Sequence, residues 1–170
     1  ADVLVFTGES SPNTAFLFPE IKSMGYDYDL IGANKLAALF VKDGNICTPV
    51  GGRYKVLVLP ESSWITPKTL KIIEKLVKSG AKVIGKRPSK SPSLKNYPSC
   101  DNEVKTITSK MWNGNLIKSI SISEHLQDNI TPDFKIIKGS EDDISFIHRK
   151  TEKADIYFIA NGKKQSRVIS

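Results

Sequence analysis

Three acidic or basic groups and one indole stand where a strand gives way to a loop: Glu9 after Val3-Leu4-Val5-Phe6, Glu61 and Trp64 after Val56-Leu57-Val58-Leu59-Pro60, and Arg87 after Ala81-Lys82-Val83-Ile84. Two carboxylates such as Glu9 and Glu61 can act as general acid and general base if their surroundings separate their pKa values. As loop residues they read equally as solvated acids. Trp64 and Trp112 offer flat aromatic faces that suit the C–H face of a sugar, and core packing is the competing reading for Trp112. His148-Arg149 pairs a group that exchanges protons near neutral pH with one that grips carboxylates or hydroxyls. On an alternating strand the two point to opposite faces, which favours a structural His beside an exposed Arg. His125 lies on a polar stretch and reads as solvated.

Placing these residues requires parallel strands. The run Tyr54-Lys55-Val56-Leu57-Val58-Leu59-Pro60 is almost continuously apolar, as a strand covered on both faces is. Thr66 reads as an N-cap, Pro67 as the first helical residue, and Leu70, Ile73, Leu76 and Val77 recur at helical spacing up to Gly80. The strand at 81–84 completes a βαβ unit, so the fold class is α/β with a mainly parallel central sheet. In such sheets ligands gather beyond the carboxyl ends of the strands, so the loops at 7–12, 60–64 and 85–90 are expected to share one edge.

Elsewhere the pattern predicts a bent or late-starting helix from Asn13, interrupted by Pro19 and closed by Gly25, and a strand over 26–31. Asn34 is expected to cap a short helix through Phe40, with a turn at Asp43-Gly44 and a small strand over 46–48. A long Pro-, Ser- and Lys-rich loop covers 88–101, a helix is expected over 103–112, and Ile117, Ile120 and Ile122 support a strand. Ser123 is placed as the cap of a helix through Gln127. Residues 143–150 and 154–161 read as an antiparallel hairpin at the end or edge of the sheet.

The 170 residues fit one domain, 1–170, and 39% hydrophobic content is ordinary for a buried core. The opening Ala1-Asp2 reads as an excised domain or a processed product. No apolar run approaches the roughly 18 residues that span a bilayer, so no membrane partner is expected. The net charge of +7 lies mostly in the second half, where residues 82–170 hold 16 Lys and Arg against 10 Asp and Glu. Lys82, Lys86, Arg87, Lys90 and Lys95 could attract an anionic polymer, but recognised nucleic-acid motifs are missing, and a solvated basic loop is the plainer reading. Cys47 and Cys100 share no metal-ligand spacing and read as free thiols before a disulfide. Neither a metal nor a cofactor is expected: Thr7-Gly8-Glu9-Ser10-Ser11 has the outline of a flavin phosphate loop, yet Glu9 brings negative charge and Pro12 removes a donor.

The strands at 2–6 and 54–60, the helix end Leu76-Val77-Lys78-Ser79-Gly80-Ala81, the loop at 86–94 and the closing Ile147-His148-Arg149 with 154–161 together resemble a segment of bacterial α-L-rhamnosidases of the family 106 type. The resemblance implies a class I glutamine amidotransferase-like, flavodoxin-like three-layer domain that follows a catalytic barrel in a secreted or periplasmic enzyme. It implies the barrel and other domains of a parent chain as partners, carbohydrate as substrate, and an acid and base lying outside this chain. Amidotransferases need a nucleophilic Cys on the elbow after a central strand. Here that position falls at Lys86 or Arg87, and amidase chemistry is not expected. The sequence therefore points to an ancillary, non-catalytic domain of a glycoside hydrolase, with Glu9, Glu61, Trp64, Arg87, His148 and Arg149 as candidate subsite or interdomain contacts. A stand-alone hydrolase using Glu9 and Glu61, or an anionic-polymer module, stands as the alternative.

Overall fold

A computed structural model describes residues 1–9, 19–138, 143–166 and 168. The predicted loop beyond Glu9 and the first part of the helix expected from Asn13 lie outside these residues. Four strands, β1 (Val3–Phe6), β2 (Tyr28–Ile31), β6 (Val56–Val58) and β7 (Val83–Ile84), form a parallel sheet in the order β2-β1-β6-β7. Between them lie α1 (Pro19–Ser23), α2 (Ala33–Leu36), β3 (Phe40–Lys42), β4 (Asn45–Cys47), β5 (Arg53–Tyr54) and α3 (Pro67–Lys78). After β7 come α4 (Ser99–Asn113), α5 (Ile122–Asn129), β8 (Ile144–Lys150) and β9 (Asp155–Asn161).

Apolar residues alternate through the parallel sheet because successive side chains leave a strand on opposite faces. Leu4, Phe6, Leu57 and Val83 pack with Leu70, Ile73, Val104 and Met111 of α3 and α4. Val3, Val5, Val56, Val58 and Ile84 pack instead with Ile21, Leu126 and Ile130 around α1 and α5. Helices thus cover both faces, which makes the runs in β1 and β6 apolar throughout. Each fully buried aliphatic side chain contributes roughly 1.5–3 kcal/mol, so the sheet and α3 dominate the stability of the fold. Thr66 caps α3, its hydroxyl accepting from the Thr69 N–H at 3.3 Å, with Pro67 in the first helical turn as the sequence predicts.

Several expectations are corrected. The 54–60 run is two strands: Tyr54 belongs to an antiparallel sheet in the order β3-β4-β5, and the chain enters the parallel sheet only at Val56. The break falls at Lys55, whose N–H donates to the Asp2 carbonyl and whose ammonium pairs with the Asp2 carboxylate at 2.7 Å. Asn34 lies inside α2 and does not cap it; Gly32 holds the N-cap. Phe40 leaves the helix for β3, because Asp43 (φ 51°) and Gly44 (φ 73°) form a two-residue hairpin turn that pairs 40–42 with 45–47. Helix α4 starts at Ser99, earlier than expected.

The strand expected at 117–122 is also absent. Ile117 is buried, Lys118 makes one isolated bridge to Ile84, and Ile122 already belongs to α5. Ser121 caps that helix, its hydroxyl accepting from the Glu124 N–H at 3.1 Å; it stands three residues before a Glu, which Ser123 does not. The hairpin β8-β9 forms as predicted, but as its own two-stranded sheet. Cys47 in β4 and Cys100 in α4 are buried free thiols. Among the described residues no helix is long and apolar enough to cross a membrane.

Candidate functional site

The candidate residues separate to opposite ends of the parallel sheet. Glu9, Glu61, Trp64 and Arg87 follow the carboxyl ends of β1, β6 and β7. His148 and Arg149 meet the other end, at the entrance to β1 and β2, where both bond Asp27, which precedes β2.

At the carboxyl edge, Glu9 is an accessory cap of α3. Its carboxylate accepts from the Thr66 N–H (2.6 Å), the Thr66 hydroxyl (2.9 Å) and the Thr69 hydroxyl (2.7 Å). The helix N-terminus presents unpaired N–H groups and positive partial charge, so a carboxylate is stabilised there. Glu9→Ala is expected to lower stability by about 1 kcal/mol, the usual size of a lost cap, in a denaturant titration. Glu61 is exposed on the loop after Pro60.

Arg87 is likewise committed. Its guanidinium donates to the Thr108 hydroxyl (3.3 Å), the Ser109 hydroxyl (2.7 Å) and the Asn113 side-chain carbonyl (3.1 Å), fastening the loop to α4. Just before it, Gly85 takes φ 140°, and a Cβ there would stand 2.7 Å from the Leu59 Cβ. The Gly85 carbonyl accepts from the Trp112 indole N–H at 3.2 Å, which places Trp112 in the core. The elbow is therefore a packed junction. Trp64 is half exposed, with the Lys90 ammonium 5.8 Å from its ring centre. A cleft of about 570 Å³ opens between the N-terminal ends of α3 and α4, lined by Glu9, Lys71, Ser91, Lys95 and Glu103. Lys71 and Glu103 pair across it at 2.5 Å.

The far end of the sheet holds a polar network that the sequence did not disclose. Asp27 is buried, and its carboxylate accepts from the Lys22 ammonium, the Tyr28 N–H (3.0 Å), the His148 N–H (3.0 Å) and the Arg149 guanidinium (2.8 Å). Burial alone would push its pKa up, but the Lys22 and His148 donors outweigh it and hold the carboxyl below its ordinary value. Arg149 also reaches Asp29 at 3.0 Å, two residues on and on the same side of the strand. Tyr54 donates to Asp29 at 3.0 Å; burial first, and then the Asp29 charge, push its hydroxyl up to about 12.

The His148 ring lies between two carboxylates, Nδ1 at 2.5 Å from Asp133 and Nε2 at 2.8 Å from Asp155, and stacks on Tyr157 with ring centres 4.5 Å apart. Both ring nitrogens are thereby engaged, leaving neither to activate a nucleophile. The His148 hydrogen bond, with a smaller part from Lys150, lowers the Asp155 pKa. No spacing in the sequence announces Asp133, 15 residues from its partner.

His125 is buried in α5 and not solvated as expected, and its Nε2 has no hydrogen-bond partner among the described residues. Burial, then the charges of Lys82 and Lys118, lower its pKa. A histidine whose folded pKa lies below the ordinary 6.5 contributes most stability above that pH and opposes folding as pH falls below it. Wild-type stability is thus expected to decline from pH 6.5 downward, and His125→Gln to flatten that decline, in denaturant titrations at stepped pH.

The structure is an α/β fold with helices on both faces of a parallel sheet, in which Glu9, Arg87, His148 and Arg149 hydrogen-bond to neighbouring elements. The chain belongs to a glycoside hydrolase family: residues 1–170 match the family model of glycoside hydrolase 106, alpha-L-rhamnosidase. It is 66% identical over 170 residues to a Formosa agariphila protein named "Putative beta-glucuronidase", a stretch covering 99% of this chain and 15% of that protein. The structure of a rhamnosidase from Novosphingobium sp. PP1Y superposes with a TM-score of 0.78 at 30% identity, covering 95% of this chain and 17% of that one. The chain thus spans about one sixth of the length of these relatives.

Proposed function

We propose that this chain is an ancillary, non-catalytic domain of a larger, secreted or periplasmic glycoside hydrolase of the α-L-rhamnosidase type, supporting a catalytic barrel that acts on plant or bacterial polysaccharide. The observation that carries the reading is the commitment of the candidate groups to the fold. Glu9 caps α3, Arg87 ties a loop to α4, and His148 is closed between Asp133 and Asp155. The match over the whole chain to a family whose relatives are about six times longer supports the same reading.

The order of the parallel strands, 2-1-3-4 when they alone are counted along the chain, supports a flavodoxin-like scaffold. The packed Gly85 junction supports an amidotransferase-like domain that has lost its nucleophile. Glu61 and Trp64 are the candidates left facing outward, and within this proposal Trp64 supplies the aromatic surface of a sugar subsite. The test is turnover of an aryl α-L-rhamnoside. The 170-residue chain is expected to give no turnover while the longer enzyme does, and Glu9→Gln in the longer enzyme is expected to leave kcat unchanged. Hydrolysis by the 170-residue chain, abolished by Glu9→Gln, would show that Glu9 and Glu61 are the catalyst after all.

A further inference from the structure

We propose that β9 is a receptor strand: its edge over residues 156–160, which pairs with no further strand among the described residues, and its outer face take an extended apolar strand from another part of the longer chain, turning the hairpin into a three-stranded sheet. The inference rests on the reading that this domain belongs to a larger enzyme.

All seven residues of β9, Asp155–Asn161, are exposed. On the outer face Ile147 of β8 lies directly opposite Phe158, with Ile156 two residues along, and these side chains are 46%, 68% and 43% exposed. On the inner face β8 buries Phe146 and His148, yet Tyr157 and Ile159 of β9 stay about half exposed. Apolar surface is therefore left on both sides of one strand. An isolated two-stranded ribbon is marginal in water, and exposed contiguous apolar patches mark interaction sites.

The two edges of the ribbon differ. Along β8 the outer edge is in use: the Phe146 carbonyl accepts from Lys22 at 2.8 Å, the His148 N–H donates to Asp27, and the His148 carbonyl accepts from Arg149. The β9 edge over residues 156–160 reads Ile-Tyr-Phe-Ile-Ala, without a charge or a proline, and its register with β8 runs one to one through seven pairs without a bulge. Exposed edges in natural proteins are protected by charges, prolines or bulges. An edge lacking all three is suited to being covered. A row of outward N–H and C=O groups is satisfied best by another extended backbone, which favours a strand over a helix. The matched stretch is only 15% and 17% of the two relatives, so a longer chain has ample sequence to supply it.

Amide hydrogen exchange over residues 156–160 tests the proposal. In a two-stranded ribbon only the alternate amides that face β8 are protected. In the longer enzyme consecutive amides are expected to be protected, the outward ones exchanging on the order of 100-fold more slowly than in the 170-residue chain. Phe158→Lys, at a side chain already exposed, is expected to remove at least about 10-fold of that protection. Alternate protection persisting in the longer enzyme overturns the proposal. So does consecutive protection in the 170-residue chain accompanied by a concentration-dependent dimer, since a second copy would then be the occupant. An enzyme whose turnover and stability ignore this domain sinks the ancillary reading whatever the exchange pattern; alternate protection in an enzyme that depends on the domain sinks the strand addition alone.

Discussion

Asp27→Ala is expected to destabilise the protein by about 3 kcal/mol and to loosen the C-terminal hairpin before the parallel sheet unfolds. Removing one partner of a buried ion pair costs roughly 3–5 kcal/mol, because the charges left behind lose their compensation. Here the lower end applies, since the Lys22 and Arg149 side chains are 33% and 48% exposed and water recovers part of their solvation. By contrast the Lys55–Asp2 pair, 50% and 31% exposed, contributes about 1 kcal/mol or less. Asp27 is also the point where three segments meet: Lys22 from α1, the His148 N–H and Arg149 from β8, and, through its own N–H donating to Asp133 at 2.8 Å, the segment before β8.

Its pH dependence has a definite sign. The folded carboxyl sits below its ordinary 3.8, so its contribution is full above that pH and is lost as pH falls through the lower folded value. Wild type should therefore lose stability in acid below about pH 4. The Asp27→Ala variant should start lower and fall less. Denaturant midpoints across pH 2–7, with exchange at the β8 amides, check both statements.

Gly25→Ala is expected to cost a similar amount, about 3 kcal/mol, for a different reason. Gly25 ends α1 with φ 83°, its N–H donating to the Lys22 carbonyl at 2.9 Å, and a Cβ would collide with the Phe134 carbonyl oxygen and lie 3.3 Å from the Pro132 Cβ. The Gly25 carbonyl accepts from the Phe134 N–H at 3.0 Å, so the two backbones run side by side. Displacing that segment moves Asp133, which orients His148. Gly44 is the control: its φ of 73° is equally left-handed, but nothing lies within 4 Å of a Cβ there. Gly44→Ala should cost only about 1 kcal/mol, the backbone part alone. Thermal or denaturant unfolding of the two variants side by side separates close approach from backbone conformation.

What the sequence disclosed was what local pattern encodes. Thr66-Pro67 with the apolar stripe to Val77 specified α3, and the unbroken apolar runs specified a parallel sheet covered on both faces. The Asp-Gly turn at 43–44 was legible, but the hairpin it closes was not, because Phe40-Val41 also continues the apolar spacing of α2. Ile117, Ile120 and Ile122 look like a strand by their β-branched composition, and only the capping pair Ser121 and Glu124 indicates that a helix begins among them. The loops at 60–64 and 85–90, with residues 7–9, do follow the carboxyl ends of the parallel strands, as the strand order implied. The long-range partners that decide what each side chain does were out of reach: Thr66 and Thr69 for Glu9, α4 for Arg87, and Asp133 for His148. Those contacts span 15 to 60 residues and depend on how helices are brought beside loops, which periodicity does not encode.

The most direct measurement compares the longer enzyme with the same enzyme lacking residues 1–170, following thermal unfolding and aryl α-L-rhamnoside turnover together. The account predicts that the truncated enzyme unfolds at a lower temperature and loses turnover through loss of folded protein, while the 170-residue chain alone is inactive. A truncated enzyme with unchanged unfolding temperature and unchanged turnover would contradict it.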